Sequence, residues 1–402
     1  MVLISFNEVR RTMIYPLLLM FFSIYSSFVL KKSGSIFGEM DMSSIPDSEK
    51  ENYSSIMTMY YMMYLSESCI LILYYIQKRN TVRKDDSGMG FLHGKTKTKI
   101  KIILIIVILF VVDCTSSFAT VYLIGAGIVG FCEMILKGIV LIAATVLSMI
   151  ILNYKYYKHH WVGCIIIFIG LIIFTCNDFL VNWAKIKTLE NSILSIIITV
   201  FIGYIWSAFQ EVLEKYLMDK MYISPFVVMG LEGIGGLIMM TVGLSILCIL
   251  PISDTLSFHN YAIFIGHAFG DCSAMLPYFG LLIFGLFGFN TFKVLTNHYY
   301  FPTYKGLSDV IGNFIRWILF SSIGLVKNDN ESDYYIIKVI SYVILTIGVI
   351  IYLELIQLNC CGLNVNTRNE ISIRIKEEKD ISILVPIIEQ NTLVKKASMK
   401  DY

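Results

Sequence analysis

The chain has 402 residues, of which 56% are hydrophobic and only 15% are charged, and its formal net charge is +2. Soluble globular domains carry about 25% charged residues. Apolar runs of about 20 residues, each long enough to cross a ~30 Å hydrocarbon core, recur along most of the chain. The composition therefore excludes an ordinary soluble domain and predicts an all-α integral membrane protein, without a nucleic-acid partner.

The apolar runs predict ten transmembrane helices. The first run, Met13 to Leu30, is too long for a signal-peptide core and lacks a cleavage site, so we interpret it as a retained helix. The predicted spans are about 12–30, 54–76, 102–123, 127–151, 160–176, 192–213, 226–250, 276–292, 303–326 and 336–356. Between the seventh and eighth spans, residues 251–275 are predicted to form a lumenal loop with an interfacial or re-entrant helix.

The distribution of basic residues predicts the orientation. Of the 32 lysines and arginines, 22 fall on segments of one side and six on segments of the other side. Because cytosolic segments are enriched in Lys and Arg, we place both termini in the cytosol. We expect an endomembrane location, in Golgi, endolysosomal or vacuolar membranes.

Two short segments indicate an internal repeat. Residues 165–173 read IIIFIGLII and residues 343–351 read VILTIGVII, with Gly170 and Gly348 at the same step. Each segment belongs to the fifth helix of a five-helix half, and an odd number of helices places the two copies in opposite orientations. Two unrelated Ile-rich spans are the alternative. The predicted domains are two inverted halves, 1–176 and 177–358, and a disordered cytosolic tail, 359–402.

Charged side chains inside the predicted spans are the main indication of function. Each one costs about 2.5–3.5 kcal/mol at a helix centre, so it is retained where it has a partner or lines a polar path. These residues include Glu67, Asp113, Glu133, Lys137, Glu232, Lys305, Asp309 and Arg316. The pattern predicts a transport pathway.

Two of the lysines have an acid four residues away on the same helix face. Glu133 precedes Lys137 in the fourth span, and Lys305 precedes Asp309 in the ninth span. Such a pair either lowers the cost of insertion or presents its lysine to an anionic cargo. The symmetric placement favours the second role, so Lys137 and Lys305 are the predicted anion contacts.

Three acids have no opposite charge in their own helix. Small residues flank Glu67 and Glu232, and they allow another helix to approach closely. Asp113 precedes Thr115, and it either takes up and releases a proton or only pairs across helices. The predicted substrate site consists of Glu67, Asp113, Lys137, Glu232, Lys305 and Asp309, with Asp113 as the proton site.

Two further groups receive structural interpretations. The glycines of 233–236 and of 280–288 are predicted to be packing seams between helices. Charged residues near the cytosolic end of the sixth span are interpreted mostly as a solvated helix end. They are Glu211, Glu214, Lys215, Asp219 and Lys220.

Signatures of enzymes and of metal sites are incomplete. Residues 269–271, Phe-Gly-Asp, approach the signature of intramembrane aspartyl proteases, but Ala268 replaces its first glycine. His159 and His160 have no further ligand nearby in the sequence, so no metal site is predicted. No glycine-rich phosphate loop is present, so we expect no cofactor and a gradient instead of ATP.

The segment 210–233, QEVLEKYLMDKMYISPFVVMGLEG, resembles the F-type branch of solute carrier family 35, in particular its member-6-like proteins in the drug/metabolite transporter superfamily. The resemblance covers about residues 12–356. The matching residues of this segment are Gln210, Val212, Glu214, Pro225, Gly230, Glu232 and Gly233. Further matches are Met63 to Glu67, Asp113 to Thr115, Gly138, Trp161 to Gly163, Asp309 and Trp317, whereas Lys137 and Lys305 stand where the family prefers arginine.

The resemblance implies ten helices in two inverted repeats and secondary-active transport by alternating access. Met134 and Gly312 depart from the family pattern, and they leave the cargo open. We predict a carrier, not an enzyme, that moves a small polar or anionic metabolite across a lipid bilayer by exchange or with protons. A non-transporting membrane scaffold is the alternative, and the oligomeric state stays open.

Overall fold

The computed structural model describes residues 6–37, 53–80, 96–125, 129–181, 201–249, 275–323 and 335–354, together with Gly362 and Thr367. All elements in these ranges are helical, so the all-α prediction is confirmed for the described part of the chain. The elements are α1 (Phe6–Phe37), α2 (Tyr53–Cys69), α3 (Leu71–Asn80), α4 (Thr96–Gly125), α5 (Val129–Ile151), α6 (Lys158–Val181), a π-helical turn (Phe201–Ile205), α7 (Trp206–Lys220), α8 (Pro225–Ile249), α9 (Met275–Tyr299), α10 (Thr303–Ser322) and α11 (Tyr335–Tyr352). Almost all of the predicted loop 251–275 and of the predicted tail lies outside the described residues.

Helix α4 shows the exposure pattern of a membrane helix. Ile103 and Val107 on one face are 54% and 46% exposed, whereas Leu109 and Asp113 on the other face are 1% and 7% exposed. A row of exposed apolar side chains opposite a buried carboxyl group suits a lipid environment and not water. The apolar helices therefore make this a membrane-associated protein.

Among the described residues, length and composition single out four helical stretches that can cross a membrane. They are Thr98–Ala119, Lys158–Cys176, Pro225–Gly243 and Pro277–Tyr299. Shorter apolar helices occupy Ile14–Val29, Gly138–Ile151 and Ile336–Tyr352. Ten crossings, as the sequence predicts, stay a prediction.

The chain divides into two compact units, 1–154 with 171–342 and 155–170 with 343–402. In the first unit, α1 packs along α9, and α2 and α4 both pack against α8. The largest apolar cluster of this unit includes Leu109 of α4, Leu217 of α7 and Val227 of α8. The polar residues described below lie on these same helices.

Glycines bring α8 close to α2 and α3. Gly230 faces Leu71, Gly233 faces Glu67 and Ser68, and a Cβ atom on Gly233 would lie 2.6 Å from the Cβ of Glu67. No side chain larger than hydrogen fits there without movement, which confirms the predicted seam at 233–236. Along the second predicted seam, Gly285 and Gly288 press against α1, but Gly280 has nothing within 4 Å, so the prediction is wrong at Gly280.

The predicted single helix over 54–76 is interrupted at Ile70. The N–H of Ile70 donates to the carbonyl oxygen of Glu67 at 3.0 Å, three residues earlier. The hydroxyls of Ser66 and Ser68 donate to backbone carbonyls of the preceding turn, at 2.6 and 2.7 Å. Such side-chain bonds bend helices, and here the interruption falls next to a buried acid.

In the second unit, the two repeat segments contact each other in a reciprocal way. A Cβ atom on Gly170 would lie 2.9 Å from Leu345, and one on Gly348 would lie 2.7 Å from Ile167. In the alignment of the repeats, Gly170 corresponds to Gly348, and Ile167 corresponds to Leu345. Each glycine thus contacts the residue that stands three positions before the glycine of the other segment. Reciprocal contacts of this kind are what a two-fold relation produces.

Candidate functional site

Two acids lie where α2 and α8 cross. Glu67 and Glu232 are each 1% exposed. The side-chain amide of Gln210, on α7, donates to Oε1 of Glu232. Within the described residues, no hydrogen-bond donor reaches Oε2 of either acid. The crossing therefore holds carboxyl oxygens that are buried and unpartnered.

Asp113 extends this group from α4. It is 7% exposed and interacts electrostatically with Glu67, and its carboxyl group lies within hydrogen-bonding range of Tyr64 and Gln210. The hydroxyl of Tyr64 also lies 2.9 Å from that of Ser117. The Oδ2 atom of Asp113 has no hydrogen-bond partner in the described part of the chain. The structure thus brings together the three isolated acids that the sequence predicted.

A lysine just beyond the predicted span 276–292 interacts with these acids. Lys293 continues α9 beyond the predicted span end at 292, and it is 8% exposed. It interacts electrostatically with four acids, Glu214, Glu232, Glu67 and Asp113. Its Nζ lies 3.6 Å from Oε1 of Glu214. We call Glu67, Asp113, Glu214, Glu232 and Lys293 the central cluster.

The interpretation of Glu211, Glu214 and Lys215 as a solvated helix end is wrong. All three side chains are buried, at 2%, 0% and 4% exposure. Glu214 accepts a hydrogen bond at 2.9 Å from the side-chain amide of Asn297 on α9. Lys215 forms an ion pair with Asp219 at 3.3 Å. Helices α7 and α9 therefore bury a polar interface where solvent was expected.

Lys305 does not present a free ammonium group. Its Nζ lies 2.5 Å from Oε1 of Glu211, so the acid that neutralises it comes from another helix. Asp309, four residues further along α10, is half-buried and interacts electrostatically with Glu211. The spacing of Lys305 and Asp309 did not reveal this partner. The side chain of Lys137 lies outside the described residues.

Several buried oxygen atoms in and beside the central cluster accept no hydrogen bond from the described residues. The unpartnered acceptors on the described residues include Glu67 Oε2, Asp113 Oδ2, Glu232 Oε2, Asn290 Oδ1 and Asn297 Oδ1. Buried polar atoms in native proteins are nearly always hydrogen-bonded. This surface therefore suits protons or a ligand that donates hydrogen bonds.

One signal in the sequence could have identified the α9 residues. Asn290, Lys293 and Asn297 stand at i, i+3 and i+7, and they form a polar stripe on one helix face. The same residues resemble the polar end of a span when they are read only by hydropathy. The three residues are only 1%, 8% and 1% exposed, so the helical period predicted their environment better than hydropathy did.

The histidine pair has a third potential ligand, contrary to the sequence analysis. His159, His160 and Glu354 each offer a ligand atom, and these atoms lie within 4.8 Å of one another. Glu354 is 194 residues beyond His160 in the chain, so no local spacing could show this group. It belongs to the second compact unit.

No protein-family model and no curated protein matches this chain. The resemblance to solute carrier family 35 therefore stays a prediction from the residues quoted above.

Proposed function

We propose that this protein is a secondary-active transporter of the drug/metabolite transporter type, with the central cluster as its cargo and proton site. The proposal includes ten spans in two inverted halves, cytosolic termini and an endomembrane location. One observation carries it. Four buried acids interact electrostatically with one lysine, and each of these acids has an oxygen atom that accepts no hydrogen bond from the described residues.

The reciprocal packing of the repeat segments supports the inverted halves. Gly170 contacts Leu345 and Gly348 contacts Ile167, so the register runs in opposite directions along the two segments. An axis in the membrane plane relates inverted halves in this way. The second helix of each predicted half also supplies one acid of the α2–α8 crossing, Glu67 or Glu232.

The charges of the cluster favour a cationic cargo. Lys305 has its own partner, Glu211, so its charge is not available to an anion. Lys293 already interacts with four acids. An additional anion would meet repulsion and further unpartnered acceptors, whereas an ammonium group would supply both charge and donors. We therefore favour an amine-bearing metabolite over the anionic cargo that Lys137 and Lys305 predicted.

Protons and a cationic cargo would compete for the same oxygen atoms. In this proposal, one or more of Glu67, Asp113 and Glu232 carry a proton when cargo is absent, because several ionised acids in a low-dielectric site repel one another. Binding of an ammonium group displaces that proton to the side from which the cargo came. Alternating access then couples cation movement in one direction to proton movement in the other direction.

Counterflow in proteoliposomes tests the proposal. Purified protein is reconstituted into vesicles that contain a mixed panel of amines, neutral metabolites, organic acids and nucleotide sugars, and uptake of each labelled class is measured. We expect uptake of the amine class, with a loss of at least tenfold in Glu232→Gln. Asp219→Asn, which neutralises an acid outside the cluster, serves as the control. No uptake of any class by folded protein would instead support the scaffold alternative.

A further inference from the structure

The second compact unit contains a separate polar group that the transport proposal does not use. His159 and His160 lie in the first turn of α6, and Glu354 follows α11. The two histidines are 3% and 5% exposed, and the Glu354 side chain is 10% exposed. Buried imidazole and carboxyl groups need partners that offset the cost of leaving water.

The backbone holds Glu354 in position. After α11, the N–H of Leu353 donates to Val349 at 2.9 Å and that of Glu354 donates to Ile351 at 3.2 Å. Glu354 has a φ of 57°, in the left-handed region that non-glycine residues seldom adopt. Residues in such conformations concentrate at functional sites. The end of α11 reaches α6 closely because Gly163 offers no side chain to Tyr352.

The polar atoms fit metal ligation better than they fit a simple ion pair. Nε2 of His159 lies 2.8 Å from Oε1 of Glu354, but the oxygen is not aligned with the ring N–H as a hydrogen bond requires. Nδ1 of His159 has no hydrogen-bond partner in the described part of the chain. Nδ1 of His160 accepts a long hydrogen bond, 3.3 Å, from the N–H of Tyr157. Neighbouring ligand atoms of one metal ion are close without pointing at each other.

We propose that His159, His160 and Glu354 bind a divalent transition-metal ion of the zinc class. Two imidazoles and one carboxylate are a ligand set that zinc uses, with water in the fourth position. Calcium and magnesium prefer sites built from oxygen ligands, so they fit less well. A bound ion joins the start of α6 to the end of α11 within the second unit. Three protein ligands leave the fourth position open to water or another ligand.

Metal titration of the purified full-length protein tests the site. The protein is prepared with an affinity tag that contains no histidine, stripped with a chelator and titrated with Co²⁺, whose visible absorption reports coordination. We expect about one Co²⁺ per chain, displaced by Zn²⁺, and a rise in melting temperature on metal addition. Glu354→Gln and His159→Asn are expected to weaken binding at least tenfold, whereas His298→Asn, outside the group, binds as the unmodified protein does.

Two outcomes would overturn the proposal. One is metal binding that is equal in all four proteins. The other is no saturable binding in the unmodified protein, with Glu354→Gln lowering the melting temperature equally with and without metal, which would identify an ion pair only. Comparison of the melting curves in chelator separates a folding defect of a variant from a loss of ligand.

Discussion

Two helix crossings in this protein use glycine for close approach, but they bury different chemistry. Where α8 crosses α2 and α3, Gly230 and Gly233 come from α8 only, and Glu67 and Glu232 lie within the contact. In the second unit, Gly170 and Gly348 come from both segments, and the residues they face are Leu345 and Ile167. In this second contact the polar residues, His159, His160 and Glu354, lie at one end, where α6 begins and α11 ends.

The comparison separates what glycine indicates from what charge indicates. Glycine identifies where two helices come close, whether or not a site is present. Buried carboxyl groups without donors identify the crossing that needs a ligand or protons. Substitutions can test whether stability and function separate between the two places.

The largest effect is expected for Lys293→Met, which removes the cation that interacts with four acids. Removal of one partner from a buried charge group typically costs about 3–5 kcal/mol. We expect a large fall in the melting temperature of the detergent-purified protein. The double variant Lys293→Met with Glu214→Gln should recover part of the loss, and no difference between single and double variants would contradict this coupling.

Gly233→Ala tests the polar crossing through its packing. The added methyl group would lie 2.6 Å from the Cβ of Glu67, and such overpacking typically costs about 1–3 kcal/mol. Gly280→Ala is the matched control, because nothing lies within 4 Å of that position. Thermal melts of the two variants should differ clearly. Equal stability of the two would mean that α8 and α2 are not packed as described.

Gly170→Ala and Gly348→Ala test the reciprocal contact. Their added methyl groups would lie 2.9 Å from Leu345 and 2.7 Å from Ile167, so we expect similar losses of stability, again about 1–3 kcal/mol. Uptake per folded molecule should stay close to normal, since neither glycine contacts the central cluster. A selective loss of uptake at unchanged melting temperature would show that the apolar crossing also takes part in transport.

Glu67→Gln should separate function from stability. The amide replaces a buried carboxyl group at nearly constant volume. Because a neutral amide costs less to bury than a carboxylate, the melting temperature should stay unchanged or rise. Cation uptake should fall at least tenfold, which corresponds to about 1.4 kcal/mol of binding or transition-state energy. A variant that transports normally would remove Glu67 from the site.

Asp113→Asn has the most specific expected effect. The amide keeps hydrogen bonds to neighbours such as Tyr64 but cannot exchange a proton, so uptake should lose its dependence on pH while some exchange remains. Initial rates between pH 5.5 and pH 8 measure this. Unchanged pH dependence in the variant would exclude Asp113 as the proton site.

The sequence predicted the helices and three acids of the site because both follow from local chemistry. Apolar runs define helices, and isolated acids such as Glu232 need no partner to be recognised. Partners across helices follow from tertiary packing, so the spacing of Lys305 and Asp309 did not identify Glu211. The hydropathy pattern also placed the end of the eighth span before Lys293, although the helix continues to Tyr299. A polar stripe that faces the protein interior lowers the mean hydropathy just as a loop does.

The most direct test of the central claim follows cargo and protons together. Proteoliposomes that contain a pH-sensitive dye are given an amine, or a neutral analogue of the same size, and uptake and lumenal pH are recorded for the unmodified protein, Glu232→Gln and Asp219→Asn. We expect amine uptake with opposite proton movement in the unmodified protein and in Asp219→Asn, and neither in Glu232→Gln. Uptake of anions alone, or amine uptake that persists in Glu232→Gln, would contradict a cation and proton site at the central cluster.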